Sequence, residues 1–315
     1  MSAFVGIDIG GTNTKLAVLD GRGRIVARDM VETNTIEGPV TLFRRLALHL
    51  PGLVGRRRTV AAAGVGCAGL IDGRGRVRVS PNLPGWENTD LARIATRHLG
   101  VSVRVDNDAN SAAYGEYRKG CGERCRMLVC ITLGTGVGGG IVDRGRILRG
   151  ASNFAAEIGH MTIQRNGRRC KCGNRGCLEA YVGADALVDR ARRLLAKRGS
   201  GRLDRGAVLT PKIIAMAARH EDPVAKEVFE GAARSLGTAL GSVVNLLNPD
   251  VIALAGGVAS GFDLMRKSIR EEVAARAFVD AARAVTIRKA TLGNDAAAVG
   301  AALLAQDMTR TARGR

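Results

Sequence analysis

Residues 4–30 read FVGIDIGGTNTKLAVLDGRGRIVARDM, and residues 127–148 read MLVCITLGTGVGGGIVDRGRIL. In both, an apolar run enters a turn of Gly and Thr. A second run follows, then a turn built from Asp and Gly, then a third run. Apolar runs of this length bounded by turn residues are strands. Asp20-Gly21-Arg22-Gly23-Arg24-Ile25 is echoed by Asp143-Arg144-Gly145-Arg146-Ile147. The recurrence predicts an internal duplication of a three-stranded unit with a glycine-rich first turn. Two related α/β domains facing each other across a cleft follow from it.

Helices fill the intervals. Apolar spacing predicts them over 38–50, 88–99 and 108–118. Thr210-Pro211 and Asp222-Pro223 each set a capping side chain before proline at the first helical position. The second of these helices should run over 223–247. The strand DVIALA follows, then Gly256-Gly257 and another helix. A last, Ala-rich helix is expected over 294–306, followed by a frayed basic tail from Asp307.

At 315 residues and 46% apolar content the chain is long enough for two cores. The N-terminus lacks a basic region followed by an apolar run, so no leader is expected. The uncharged stretch between Arg234 and Asp250 is too short to cross a bilayer. A soluble, cytoplasmic protein without a membrane partner is the expectation. The net charge of +19 attracts polyanions, but 3% aromatic content is too low for base-stacking platforms, so no nucleic-acid role is expected. Seven cysteines in a reducing compartment point to metal or free thiols rather than disulfides. Cys121 and Cys125 could form half of a second site, but no partner pair is visible.

Gly134-x-Gly136-x-x-Gly139 and Gly64-x-Gly66-x-x-Gly69 have dinucleotide-loop spacing. A helix must follow such a loop, and neither has one, so that reading is rejected. The alternative is a hairpin-turn phosphate clamp at Gly10-Gly11-Thr12 and Gly134-Thr135-Gly136, in which backbone N–H groups and threonine hydroxyls donate to phosphate oxygens. Asp8, beside the first turn, could hold Mg²⁺ through water. Ordinary tight hairpins remain the rival reading. VSVRVDNDANSAAYGEY ends a strand at Asp106-Asn107-Asp108 and begins a helix. A carboxylate there could take a proton from a substrate hydroxyl, or Asp106 or Asp108 could merely cap the helix.

His160-x9-Cys170-x-Cys172-x4-Cys177 is a complete tetrahedral zinc set of the structural type, with no open position. Gly173 and Gly176 let the backbone curl, and Arg168, Arg169, Lys171 and Arg175 are placed to offset the thiolates. Glu157-x-x-His160 has no second copy for a di-metal helix, and H-E-x-x-H is absent, which excludes a metalloprotease.

With DIGGTNTK, PNLPGW, VDNDANSAA, LGTGVGGG, EIGH, CKCGNRGCLE and ALAGGV together, the chain resembles the ROK family of sugar kinases and sugar-responsive repressors. Within it, the bacterial glucokinases are most similar. The resemblance implies the two-domain actin-like ATPase fold of duplicated, ribonuclease H-like βββαβα units. It implies a small domain over 1–115, onto which helix 294–306 packs, and a large zinc-bearing domain over 116–293. It implies transfer of the ATP γ-phosphate to the 6-hydroxyl of glucose. Asp108 would be the base, and Asn107, Glu157, His160 and Glu179 would bind the other hydroxyls. Asp8, Gly10, Gly11, Thr12, Lys15, Thr135 and Gly136 would serve phosphates and Mg²⁺, and Gly256-Gly257 would border the adenosine. One zinc would then orient both carboxylates and the imidazole, leaving the second ring N–H of His160 for the sugar. Other hexoses (mannose, fructose, allose, N-acetylhexosamines) and polyphosphate as donor stay open. A homodimer or homotetramer is implied by resemblance alone. Repressors of the family carry an added N-terminal DNA-binding domain, for which the first motif at Asp8 leaves no room. Two departures stand out: Ala156 where many relatives have Gly, and Cys67-Ala68 where Pro is common.

Overall fold

The computed structural model describes residues 1–198, 203 and 208–313. The chain opens with β1 (Ser2–Ile9), β2 (Asn13–Asp20) and β3 (Ile25–Glu32), followed by α1 (Gly38–Val54), β4 (Thr59–Cys67), β5 (Leu70–Ile71) and β6 (Val77–Val79). Then come α2 (Leu91–Leu99), β7 (Val103–Asn107) and α3 (Asp108–Lys119). The first sheet has the order β3-β2-β1-β4-β7, with β5-β6 a separate ribbon. β1 is antiparallel to β2 and parallel to β4, and β4 is parallel to β7. Successive side chains on a strand point to opposite faces. Val5, Ile7 and Ile9 of β1 and Ala63, Val65 and Cys67 of β4 therefore share one face, where Phe43, Leu46, Leu50 and Val54 of α1 and Leu91 and Ala95 of α2 complete a core. Helix α1 runs one turn beyond the expected end at residue 50, through Pro51. A proline so near the C-terminus removes one hydrogen bond, and burial of Leu50 and Val54 holds the final turn. Helix α2 begins at Leu91 rather than 88, because the Asp90 carboxylate caps it by accepting from the Arg93 N–H at 3.1 Å.

The second half repeats the pattern. β8 (Met127–Leu133), β9 (Val137–Asp143) and β10 (Arg146–Ile147) are followed by α4 (Glu179–Val182), α5 (Ala184–Arg198), α6 (Pro211–Arg219) and α7 (Pro223–Leu247). β11 (Val251–Ala255), α8 (Phe262–Arg276), α9 (Val279–Ala284), β12 (Thr286–Lys289) and α10 (Ala296–Arg313) complete the chain. The sheet order β10-β9-β8-β11-β12 copies the first, antiparallel at one end and parallel at the other. The duplicated turns differ by one residue. Arg144 and Gly145 both have positive φ, as a two-residue type I′ hairpin requires. The longer turn after Asp20 is absorbed by a register shift between Val18 and Leu19. Thr210 and Asp222 cap α6 and α7, accepting from Ile213 N at 3.2 Å and Ala225 N at 2.8 Å.

Contacts divide the chain into two compact units. One gathers Met1–Arg124, Gly140–Ala156 and Thr291–Arg315, and the other Cys125–Gly139 and Glu157–Ala290. The boundary drawn at 115/116 therefore shifts, and residues 140–156 join the first unit. The reason at the shifted boundary is Glu116, fully buried on α3. Its carboxylate accepts from the backbone N–H groups of Cys121 (2.9 Å), Thr291 (3.1 Å) and Leu292 (2.7 Å). Helix α10 lies on the sheet face opposite α1. A Cβ on Gly6 of β1 would stand 1.8 Å from the Ala298 carbonyl oxygen, and one on Gly64 of β4 1.9 Å from that of Ala301. Helix and sheet backbones meet there without side chains between them. The helix continues to Arg313 where a frayed tail was expected from residue 307, with Asp307 paired to Arg118 at 2.5 Å; residues 314–315 lie outside the described set. Among the described residues no helix is long and apolar enough to cross a membrane.

Candidate active site

In the first unit, β7 passes into α3 with no intervening turn. Asn107 is the N-cap, its Oδ1 accepting from Ala109 N (2.8 Å) and Asn110 N (3.0 Å). Its Nδ2 donates to the Gly69 carbonyl at 3.0 Å. The capping role expected of Asp106 or Asp108 thus belongs to the residue between them, and Asp108 is freed to stand in the first helical turn. Burial raises the Asp108 pKa, offset in part by its bond from the Ala109 N–H and by Lys15. Asp8 and Lys15 sit opposite each other on β1 and β2, with Nζ 3.8 Å from Oδ2. The Asp8 side chain is 14% exposed. Burial, and then repulsion by Asp108, push its carboxyl up to about 7 against the pull of Lys15. Two carboxylates and one ammonium therefore form a single electrostatic cluster. The Cys67 thiol beside it is fully buried, and burial followed by both aspartates raises its pKa, which leaves it an unreactive packing group.

The turn after β1 uses its carbonyls inward. Gly10 O accepts from the Thr33 hydroxyl at 2.7 Å and Thr12 O from the Thr33 N–H at 2.9 Å. Among the described residues the N–H groups of Gly11 and Thr12 have no acceptor, and the same holds for Thr135 and Gly136 in the duplicated turn. Backbone donors left open in a glycine turn suit an anion.

One feature of this unit had no signature in the sequence. Asp106, 2% exposed, accepts on Oδ2 from Nε (3.0 Å) and Nη2 (2.6 Å) of Arg149, and on Oδ1 from Asn107 N (2.9 Å) and Asn110 Nδ2 (3.0 Å). The junction that presents Asp108 is thus held by a buried ion pair.

In the second unit, ligand atoms of His160, Cys170, Cys172 and Cys177 all lie within 4.8 Å of one another. Cys170 Sγ is 3.9 Å from His160 Nδ1, and Cys172 Sγ is 3.7 Å from Cys177 Sγ. Tetrahedral zinc with Zn–S bonds of about 2.3 Å sets its sulfurs about 3.8 Å apart, whereas a disulfide needs about 2.05 Å. The donor set fits zinc and no disulfide. Burial pushes the Cys170 thiol up to about 12, so a metal is what would hold it ionised. Nδ1 of His160 faces the sulfurs, which leaves Nε2 as the second ring nitrogen. Gly173 and Gly176 take left-handed backbone, as expected. Two of the four nearby cations are employed elsewhere: Lys171 pairs with Asp185 at 2.6 Å, and Arg168 stacks on the Tyr181 ring at 4.8 Å.

Glu179 joins this cluster to the second glycine turn. Its Oε1 lies 3.6 Å from Cys170 Sγ, and its Oε2 accepts from the Val137 N–H at 2.9 Å. A Cβ on Gly136 would stand 2.6 Å from that Oε2, so only glycine leaves the carboxylate its place. The short turn Ile158–His160 approaches the same point, with Gly159 against the Val137 carbonyl. Ala156, just before Glu157, has φ +69, a left-handed backbone that favours glycine. Gly256, φ +88, packs on the Leu133 carbonyl at the head of the same glycine turn. The structure therefore assembles Thr135, Gly136, Glu179, Gly256 and the four metal ligands in the second unit. It assembles Asp8, Lys15 and Asp108 in the first.

The chain matches the ROK family over residues 4–308. It is 36% identical to the glucokinase of Halalkalibacterium halodurans over 307 residues, 94% of this chain and 93% of that one. It is 36% identical to the glucokinase of Streptomyces coelicolor over 321 aligned positions, 98% of each. Its structure is similar to that of a ROK family glucokinase from Streptomyces griseus in complex with glucose and AMPPNP. There the TM-score is 0.83 at 34% identity, over 97% of this chain and 99% of that one. With its duplicated sheets in the two-domain actin-like ATPase arrangement, the chain belongs to the ROK family.

Proposed function

We propose that the protein is a glucokinase that transfers the γ-phosphate of ATP to the 6-hydroxyl of glucose. The observation that carries the reading is Asp108, a carboxylate at the head of α3 whose proton affinity is raised by burial. A general base works best when its pKa approaches the working pH. Asp108 takes the hydroxyl proton as O6 forms its bond to the γ-phosphorus. The bond from that phosphorus to the β–γ bridging oxygen breaks, and ADP leaves with the electron pair. Asn107, Glu157, His160 and Glu179 hold the remaining hydroxyls through charge-assisted bonds. Open N–H groups of Gly11, Thr12, Thr135 and Gly136 receive phosphate oxygens, Lys15 adds positive charge, and Gly256-Gly257 borders the adenosine. Asp8 is a hard oxygen donor short of positive charge, which fits Mg²⁺; when bound, that ion neutralises charge on the transferring phosphate. His160, Cys170, Cys172 and Cys177 hold a structural zinc. A cytoplasmic location follows from the donor, and a homodimer or homotetramer is the assembly we expect in sedimentation.

ADP formation from Mg²⁺-ATP across a panel of hexoses tests the reading. Strong turnover on glucose with little on mannose, fructose, allose or N-acetylhexosamines is expected. Another preferred hexose would replace the substrate, and silence on every hexose, with ATP or with polyphosphate, would remove the activity. Asp108→Asn is expected to keep glucose affinity in calorimetry and lose about 10²- to 10⁴-fold in kcat. Retained turnover would refute the base.

A further inference from the structure

The turn at residues 72–75, the strand β7 and the loop after β10 line a polar pocket of about 220 Å³ in the first unit, open to solvent on one side. Its walls carry Arg74, Arg104 and Arg149 against Asp72 and Asp106. Both carboxylates are already committed. Asp106 is saturated by Arg149, Asn107 and Asn110. Asp72 accepts from the backbone N–H groups of Arg74 and Arg76, each at 3.0 Å, and lies 4.0 Å from Arg78. Arg104, half-buried on β7, has no hydrogen bond or ion pair among the described residues. Burial, and then the neighbouring Arg149 charge, lower its pKa; Asp106 and Tyr114 oppose this only in part, so its surroundings on balance disfavour the charge that arginine keeps. A half-buried guanidinium next to a second one is relieved by an anion.

We propose that this cavity binds a small phosphate-class anion, held by Arg104 from the strand and Arg74 from the rim, with Arg149 contributing from its pair with Asp106. Guanidinium forks match the paired oxygens of a phosphate group. The volume limits the choice. At about 30 Å³ per water, the cavity holds roughly seven waters, enough for an oxyanion with part of its hydration shell. It falls below the roughly 300–1,000 Å³ of sites that take drug-sized ligands, which favours a small anion over a nucleotide. Inorganic phosphate and the phosphate group of a small phosphomonoester share the required chemistry. Arg74 and Arg104 have no role in the proposed sugar-kinase reaction, and Arg149 touches it only by holding the junction that presents Asp108, so a test on Arg104 or Arg74 stands or falls apart from that reading.

Thermal denaturation in rising inorganic phosphate, with chloride matching the ionic strength, tests it. The wild-type midpoint should rise saturably, while Arg104→Met should lose that rise and Arg104→Lys should keep part of it. The full-length variants must first show a normal midpoint without phosphate. If Arg104→Met does not fold, Arg74→Met on the exposed rim takes its place. An equal rise in wild type and Arg104→Met would put phosphate elsewhere, for instance on the glycine turns, and overturn the proposal. No rise beyond the chloride control would overturn it as well. Glucose 6-phosphate titrated in the same way separates the sources: an Arg104-dependent shift at lower concentration than phosphate identifies a phosphomonoester, and a weaker one identifies the free ion.

Discussion

Burial, and then the Asp108 carboxylate, hold the Asp8 proton to about pH 7, well above the ordinary 3.8. Between those values the folded protein keeps a proton that the unfolded chain has lost, so stability falls as pH rises through that window. At about 1.4 kcal/mol per pH unit, the effect at pH 8 is on the order of 4 kcal/mol. Asp8→Asn should therefore exceed wild type in urea stability at pH 8 without divalent cations, and the gap should close near pH 4. A constant gap at both pH values would show that Asp8 does not titrate in this way. Ala156 makes a second case. Left-handed backbone costs a non-glycine residue about 1–2 kcal/mol, while glycine's added freedom in the unfolded chain costs about 0.5–1 kcal/mol. Ala156→Gly is expected to gain up to about 1 kcal/mol in the same titration, where alanine to glycine in a helix interior loses about that much. A clear loss would mean that the methyl group is needed.

Two elements make their contributions through contacts that tolerate no added atom or no missing one. Helix α10 rests directly on the backbones of β1 and β4, and Gly64→Ala would drive a methyl group into the Ala301 carbonyl. Such overpacking costs about 1–3 kcal/mol or more, so the thermal midpoint should fall by several degrees. An unchanged midpoint would mean that the helix can lift without loss. The loop from His160 to Cys177 has the opposite dependence, because it is short of apolar packing and long on ligands. Treatment with a chelator to remove the proposed zinc should raise the KM for glucose through the proposed sugar ligands Glu157, His160 and Glu179, or unfold the second unit outright. Full glucose affinity in protein shown to be metal-free would separate the cluster from sugar recognition.

Across the whole molecule, what could be read along the chain was whatever repeats or stays local. The two meanders are recognisable because each is continuous, and the candidate metal ligands because they fall within one short stretch. The pair of Arg149 with Asp106 spans 43 residues, and the bond from Val137 to Glu179 spans 42. Such contacts leave no spacing to recognise, and the return of α10 to the first unit was legible only through the family resemblance. The end of α1 was misjudged because proline was given more weight than the two buried side chains beyond and beside it. The cap at Asn107 was not singled out because the two aspartates that flank it offered the same role. Helix α10 covers β1 and β4, yet it is synthesised after every other described element of the first unit. While the ribosome is at work, the second unit can be completed by residue 290, but the sheet begun at residue 2 keeps one face uncovered until Ala296–Arg313 has emerged. Shielding that face from other chains is a task for the cell throughout translation, and shortening the C-terminus would leave it uncovered for good.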